Sequence, residues 1–408
     1  MTLAVLLAAA DEPWESTVAQ DLQHAPGVSL ARRCVDVADV LATAASGGAD
    51  VALLSLRLPG LDADVVRRLR ESRVVPVAVG GIEVDAARTT ALGVAAVVGV
   101  DDVVDLPRLV EDARVDVDVP AAGPSPTPGH GRVVTVWGPT GAPGRSTVAV
   151  GLASEAAHLG IPTLLVDADV NGGAVAPMLA LLDEVSGLLA AARAANTGSL
   201  DAAGLVGHAR EVTPGLDVLT GLPRADRWPA LRPAAFDAVL EVARTTAALV
   251  VVDVGFDLEP GDDPLDPAGP RRSATTASAL ARADTVVAVG SADPLGLARL
   301  TRGLHDLREV VPDRAPLVVV NRARESLGWD HDEVSRSLER FTGVAPSVFL
   351  RDDRAAVDRA WVHGQALVEC APDSPLRRDL AGLTRRVVVP VGGAPARARG
   401  RRRVRPLA

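Results

Sequence analysis

Apolar runs of strand length alternate with helical patterns along the 408 residues, as expected of a parallel α/β chain whose strands are buried on both faces. The runs fall into two sets. In the first, Thr2 to Ala8, Asp50 to Leu56, Val74 to Val79 and Ala95 to Val100 read as strands, and Glu15 to His24, Val35 to Ala45, Ala63 to Glu71 and Leu106 to Ala113 as helices. The stretch VDVDVPAAGPSPTPGHGR lacks a period and is rich in Pro and Gly, so residues 115–131 are expected to form a linker. A second set comprises Arg132 to Trp137, Thr163 to Asp167, Leu216 to Leu219, Leu249 to Val254, Thr285 to Gly290, Leu317 to Asn321 and Ser347 to Leu350, seven strands that suit one doubly wound sheet. The expected division is 1–114, 115–131, 132–390 and an Arg-rich tail over 391–408.

Composition narrows the class. With 48% hydrophobic and 2% aromatic residues, the cores must be built from Ala, Val and Leu. Lysine and tyrosine are absent altogether, so every fixed cation is an arginine. Cys34 and Cys370 lie far apart without metal-ligand spacing, which implies two reduced, buried thiols and no disulfide framework. A net charge of -10 argues against general or sequence-specific nucleic-acid binding. MTLAVLLAAADEPWE has no basic segment before its apolar run and reads as a first strand, not a signal peptide. No uncharged apolar stretch reaches the roughly 18 to 20 residues of a spanning helix, and a cytoplasmic protein is expected. The tail ARARGRRRVRPLA carries arginines without a Leu/Phe face. It reads as a disordered tail whose attraction to an anionic membrane surface is worth about 1 kcal/mol per basic residue.

Chemistry concentrates after the first strand of the second set, where WGPTGAPGRST joins strand to helix through a glycine-rich loop. Gly141, Ala142, Pro143 and Gly144 let backbone N–H groups approach phosphate oxygens, and Arg145, Ser146 and Thr147 open a helix whose positive end favours the same anion. Ser146 occupies the position of a magnesium-coordinating hydroxyl. The next strand ends LLVDADVNGG, bringing Asp167 and Asp169 to its carboxyl end, where two carboxylates can hold magnesium waters or orient an attacking water. ALVVVDVGF supplies Asp253 as a second metal-side carboxylate and Gly255 as a close backbone donor to a terminal phosphate. Asn321 and Arg322, ending APLVVVNRAR, suit the edge and face of an adenine.

In this order and at these intervals, the motifs resemble the MinD/ParA superfamily of deviant Walker A ATPases over roughly Arg132 to Val389. The family loop KGGxGK[ST] aligns with Thr140 through Ser146, so Thr140 replaces the signature lysine and Arg145 the phosphate lysine. The resemblance implies ATP with Mg²⁺ as cofactors and an ATP-dependent homodimer, with Arg145 and Asp169 as the catalytic pair. A cation about 4 Å from a phosphate oxygen is worth about 4 kcal/mol at an effective dielectric near 20. Arg145 keeps that charge but is planar and bulkier than an ammonium. Loss of a transition-state cation costs roughly 10³- to 10⁵-fold in rate, so binding with slow or absent hydrolysis is expected.

The first unit resembles a response-regulator receiver. In LLSLRLPGLD, Ser55 stands where the phospho-acceptor aspartate belongs, only Asp11 remains of the acidic pair with Ala10 in the other place, and no lysine can follow the fifth strand. A pseudo-receiver used for docking is expected, since phosphotransfer needs a carboxylate nucleophile and clustered acids. This two-part arrangement resembles the CpaE/TadZ proteins. It implies a spatial regulator that localises Tad/Flp-type pilus machinery, with the pilus or secretion ATPase or inner-membrane platform as partner. Alternatives are a septum-site or chromosome-partitioning ATPase with genuine turnover, and a scaffold that binds no nucleotide.

Overall fold

The structure, a computed structural model, describes residues 2–80, 86–100, 110, 130–141, 143–181, 185–259 and 271–388. Ala142, the expected helix at Leu106 to Ala113 apart from Val110, nearly all of the 115–131 linker, residues 260–270 and the tail at 391–408 lie outside the described residues.

Strands β1 (Leu3–Ala8), β2 (Val28–Arg33), β3 (Val51–Ser55), β4 (Val75–Gly80) and β5 (Ala96–Gly99) form one parallel sheet. Their order, β2-β1-β3-β4-β5, is the flavodoxin-like one. Alternation along β1 feeds two cores. Leu3, Val5 and Leu7 pack with helix α1 (Glu15–His24), and Leu6 and Ala8 pack with α2 (Val37–Ala45) and α3 (Ala63–Glu71). Helix α4 (Ala86–Leu92) precedes β5. Strand β2 was not expected: it is an edge strand with only Val28 buried, so VSLARR carries no apolar run. Helix α2 begins two residues later than its apolar pattern because the Asp36 side chain caps it, accepting from Asp39 N–H at 2.8 Å.

The second sheet has eight strands, ordered β13-β12-β11-β6-β10-β7-β9-β8. They are β6 (Arg132–Trp137), β7 (Thr163–Ala168), β8 (Arg210–Thr213), β9 (Leu216–Leu219), β10 (Leu249–Val254), β11 (Thr285–Ser291), β12 (Leu317–Ala323) and β13 (Val348–Arg351). All neighbours are parallel except β8 with β9, and that polar antiparallel edge is the eighth strand the apolar pattern did not reveal.

One face of this sheet carries α7 (Gly187–Asn196), α9 (Pro233–Thr246), α10 (Ala274–Arg282), α11 (Pro294–Val310) and α12 (His331–Thr342). The other carries α5 (Arg145–His158), α13 (Arg354–His363), α14 (Leu367–Cys370) and α15 (Pro375–Val388). Short helices α6 (Val175–Met178) and α8 (Ala202–His208) complete the unit. Helix α5 is buried continuously from Val148 to Ala157, the mark of a core helix. Gly151 permits this, because a Cβ there would lie 2.6 Å from Leu380 of α15. Helix α15 buries Leu376, Leu380, Leu383 and Val387 and so closes the domain. Fully burying each such leucine contributes about 1.5–3 kcal/mol.

Among the described residues no helix is long and apolar enough to cross a membrane. Both cysteines are free. Cys34 is buried as expected, but Cys370, at the end of the four-residue α14, is only half-buried.

Candidate nucleotide site

Strand β6 lies between β10 and β11, so chain segments depart to both sides of it and a crevice opens at its carboxyl end. The loop leaving β6 is pressed against its neighbours. A Cβ at Gly138 would sit 2.2 Å from the Val289 carbonyl oxygen of β11. Gly144 caps α5 with φ at +98°, a left-handed conformation that side chains resist, and a Cβ there would meet Asn321 Nδ2 at 2.4 Å. Asn321 is buried and committed to the backbone: Nδ2 donates to the Pro143 carbonyl at 2.8 Å, and Oδ1 accepts from Arg322 N–H at 2.8 Å. In the structure Asn321 braces the loop, with both polar atoms of its amide engaged. Arg322 follows with φ at +58°.

Arg145 is the first residue of α5 and turns back into the loop. Its Nη1 donates to the carbonyls of Gly138 and Pro139, both at 3.2 Å, and its Nη2 lies 3.5 Å from Asp169. Its Nε is buried and has no partner among the described residues. Thr147 stands in the same first turn.

The acids follow from strand register. Along β7 and β10, Leu164, Val166, Val250, Val252 and Val254 belong to the core beneath α9 and α10, whereas Leu165 and Val251 belong to the one beneath α5. Period-two alternation therefore turns Asp167 and Asp253 toward the α5 side, and the ladder sets them directly opposite one another. Two like charges opposed in a dry site oppose ionisation. Burial, reinforced by Asp169, raises the Asp167 carboxyl to about 7. Asp253 is raised well above the usual carboxylate range by burial and by Asp167, while Ser146 and Arg145 pull the other way. Among the described residues neither of the two buried Asp253 oxygens has a hydrogen-bond partner.

Asp167 accepts from Asp169 N–H at 3.3 Å and Val175 N–H at 3.1 Å. Asp169 accepts from Asn171 N–H at 2.9 Å and Gly172 N–H at 3.3 Å, leaving its other oxygen to Arg145. Gly255 makes room for this turn, since its Cβ would lie 2.7 Å from Asn171 Nδ2 and 3.0 Å from Asp169.

Among the described residues no group of three or more His, Cys, Asp or Glu is placed to hold a metal ion alone. The donors present nonetheless fit Mg²⁺ in a phosphate site, where one or two carboxylates, a hydroxyl, waters and substrate oxygens share the ion. Asp253 supplies a buried carboxylate that has no hydrogen-bond partner among the described residues, and Ser146 a hydroxyl close enough to influence it. Two further features escaped the sequence reading because no motif spacing marks them. The Asn171 side chain accepts from Arg272 at 3.4 Å, and the Arg299 guanidinium of α11 lies against Gly141.

In the first unit, Ser55 is buried at the end of β3. It accepts from Arg57 N–H at 3.1 Å and donates to Glu12 at 3.4 Å, with Glu12 3.7 Å from Arg57.

No family profile and no curated protein matches this chain. Solved structures do share its fold. A ParA family ATPase from Chlorobium tepidum superposes with a TM-score of 0.52 at 18% identity, covering 62% of this chain and 98% of that one. The second unit accordingly has the MinD/ParA P-loop NTPase fold. Lower similarity is found to the Pyrococcus furiosus cell division ATPase MinD (TM-score 0.48, 17% identity, 63% of this chain and 98% of that one). The MinC:MinD cell division complex of Aquifex aeolicus gives 0.49 at 16% identity, covering 63% and 95%.

Proposed function

We propose that this chain is an ATP-binding spatial regulator of the MinD/ParA type that holds Mg²⁺-ATP with slow or absent hydrolysis. The observation that carries the reading is the opposed pair Asp167 and Asp253, buried beneath a phosphate-type loop, with neither Asp253 oxygen partnered among the described residues. Such a pair is costly without a cation and is explained by one. Gly141, Ala142, Pro143, Gly144, Arg145, Ser146, Thr147 and Gly255 bind the phosphates, Asn321 and Arg322 border the base, and Ser146, Asp167 and Asp253 hold Mg²⁺ directly or through water. Arg145 and Asp169 are the catalytic candidates. The absence of a lysine at Thr140 and Arg145 supports weak turnover.

The finer assignment is a CpaE/TadZ-like protein that acts as an ATP-dependent homodimer in the cytoplasm and localises Tad/Flp-type pilus machinery. A pseudo-receiver docks the pilus ATPase or membrane platform, and the tail contacts anionic lipid. Support comes from the flavodoxin-like strand order joined to the P-loop unit, and from Ser55 at the end of β3 where a receiver carries its aspartate.

Calorimetric titration of ATP with and without magnesium, followed by phosphate release, tests the reading in the wild type, Arg145→Lys and Asp169→Ala. Magnesium-dependent binding by the wild type is expected, with faster release from Arg145→Lys and none from Asp169→Ala. Indifference of all three proteins to ATP would establish the inert scaffold, and brisk wild-type turnover the septum-site or partitioning enzyme.

A further inference from the structure

We propose that Arg299 is a second phosphate-facing cation of this site, delivered from α11 over the rim of the loop; the inference rests on the nucleotide reading above. The guanidinium lies on the loop backbone. A Cβ at Gly141 would fall 2.1 Å from Arg299 Nη1 and 3.1 Å from Cζ, and Gly141 itself takes φ at +102°. Bare backbone at this point is what admits the arginine.

Three close approaches hold α11 in place. A Cβ at Gly303 would meet the Trp137 ring at 2.9 Å and Pro139 at 3.1 Å, one at Gly290 would meet Leu300 at 2.5 Å, and one at Gly296 would meet Ser291 at 2.6 Å. Helix α11 is therefore seated flush on β11 and on the first residues of the loop, and its Arg299 is positioned by packing instead of by a charge partner.

Arg299 is also available. Among the described residues it makes no hydrogen bond or ion pair, whereas Arg145 divides its nitrogens between two loop carbonyls and Asp169. The interior of the site offers a phosphate one guanidinium, and Asp169 already engages it, so a polyphosphate entering the loop meets little uncommitted positive charge. Thr140 offers none at the rim. Arg299 and Thr140 line the same cleft, and the arginine there supplies a charge-assisted contact to the outer phosphates.

Titrations of Mg²⁺-ATP, Mg²⁺-ADP and AMP into the full chain test this with the wild type, Arg299→Ala, Arg299→Gln and Arg302→Ala. Arg302 lies one turn further along α11 on the same cleft and controls for general surface charge. For a contact to the outer phosphates, Arg299→Ala is expected to weaken ATP about tenfold or more, ADP less and AMP by under about twofold. Arg302→Ala should stay within about twofold of wild type for all three. Arg299→Gln removes the charge while keeping a polar side chain with the inner part of the arginine stem, is expected to show the same loss, and stands in should the alanine variant misfold. Wild-type ATP binding that Arg299→Ala and Arg299→Gln leave unchanged, or an equal loss for AMP, overturns the role of Arg299 and spares the nucleotide reading. A wild type that binds none of the three ligands overturns both.

Discussion

Arg145 and Asp169 face one another at 3.5 Å inside the mouth of the loop, both largely shielded from water, so the cation that the proposed function assigns to phosphate is already engaged by a carboxylate. An incoming polyphosphate must displace that carboxylate or be joined by a metal ion that satisfies it. Asp169→Asn removes the competitor while keeping the turn that accepts from Asn171 and Gly172. Mg²⁺-free ATP binding should tighten about fivefold, the worth of a pair contributing roughly 1 kcal/mol. Arg145→Ala should abolish that binding. Fluorescence titration in chelator reads both, and weaker binding by Asp169→Asn would contradict the competition.

The pair Asp167 and Asp253 makes the ligand-free protein pH-sensitive in a defined direction. Asp167 is raised from 3.8 to about 7, so the folded state holds a proton that the unfolded chain has released over that interval. Unfolding then releases protons, and stability declines as pH rises from about 4 to about 7 before levelling off. Asp253 is displaced in the same sense. Calorimetric melting at pH 5 and pH 8 should show the higher Tm at pH 5, with Asp167→Asn flattening the difference by raising the Tm at pH 8. A Tm that climbs with pH would mean that both carboxylates are ionised in the fold.

Much of this was legible because parallel strands buried on both faces write themselves as unbroken aliphatic runs: Leu249–Val254 is buried at every position, and its expected bounds hold to the residue. Strands β2 and β8 stayed hidden for the converse reason, since exposed edges read as polar loop. Asp167, Asp169, Asp253 and Arg145 could be named from motif order. Their mutual arrangement could not, because which acid faces which depends on the register of β7 against β10. Arg299 left no trace in the sequence at all. It reaches the loop through helix packing that depends on Gly303 and Gly290, which lie far from any motif.

Gly144 carries two separable constraints, a left-handed φ of +98° and the nearness of Asn321 Nδ2 to any added Cβ. Gly144→Ala should therefore cost about 1–3 kcal/mol in urea denaturation. In the Asn321→Ala background the steric part disappears and only backbone strain persists, so the two losses should combine to less than their sum. Additive losses would show that Asn321 does not press on the loop.

Glu155 of α5 and Arg377 of α15 tie the loop-bearing helix to the helix that closes the domain, with Nε donating at 2.6 Å and Nη2 at 3.0 Å to the two carboxylate oxygens. The Glu155 side chain is only 4% exposed, so its charge depends on that fork. Arg377→Met strands the carboxylate, and a loss of about 3–5 kcal/mol is expected, since removing one partner of a buried pair leaves its desolvation uncompensated. Adding Glu155→Gln to Arg377→Met deletes the stranded charge and should recover most of the loss, because leucine-rich packing of α15 on α5 remains. Urea denaturation of the single and double variants measures both steps. A double variant no more stable than Arg377→Met would show that the arginine stabilises α15 through its packing and not through Glu155.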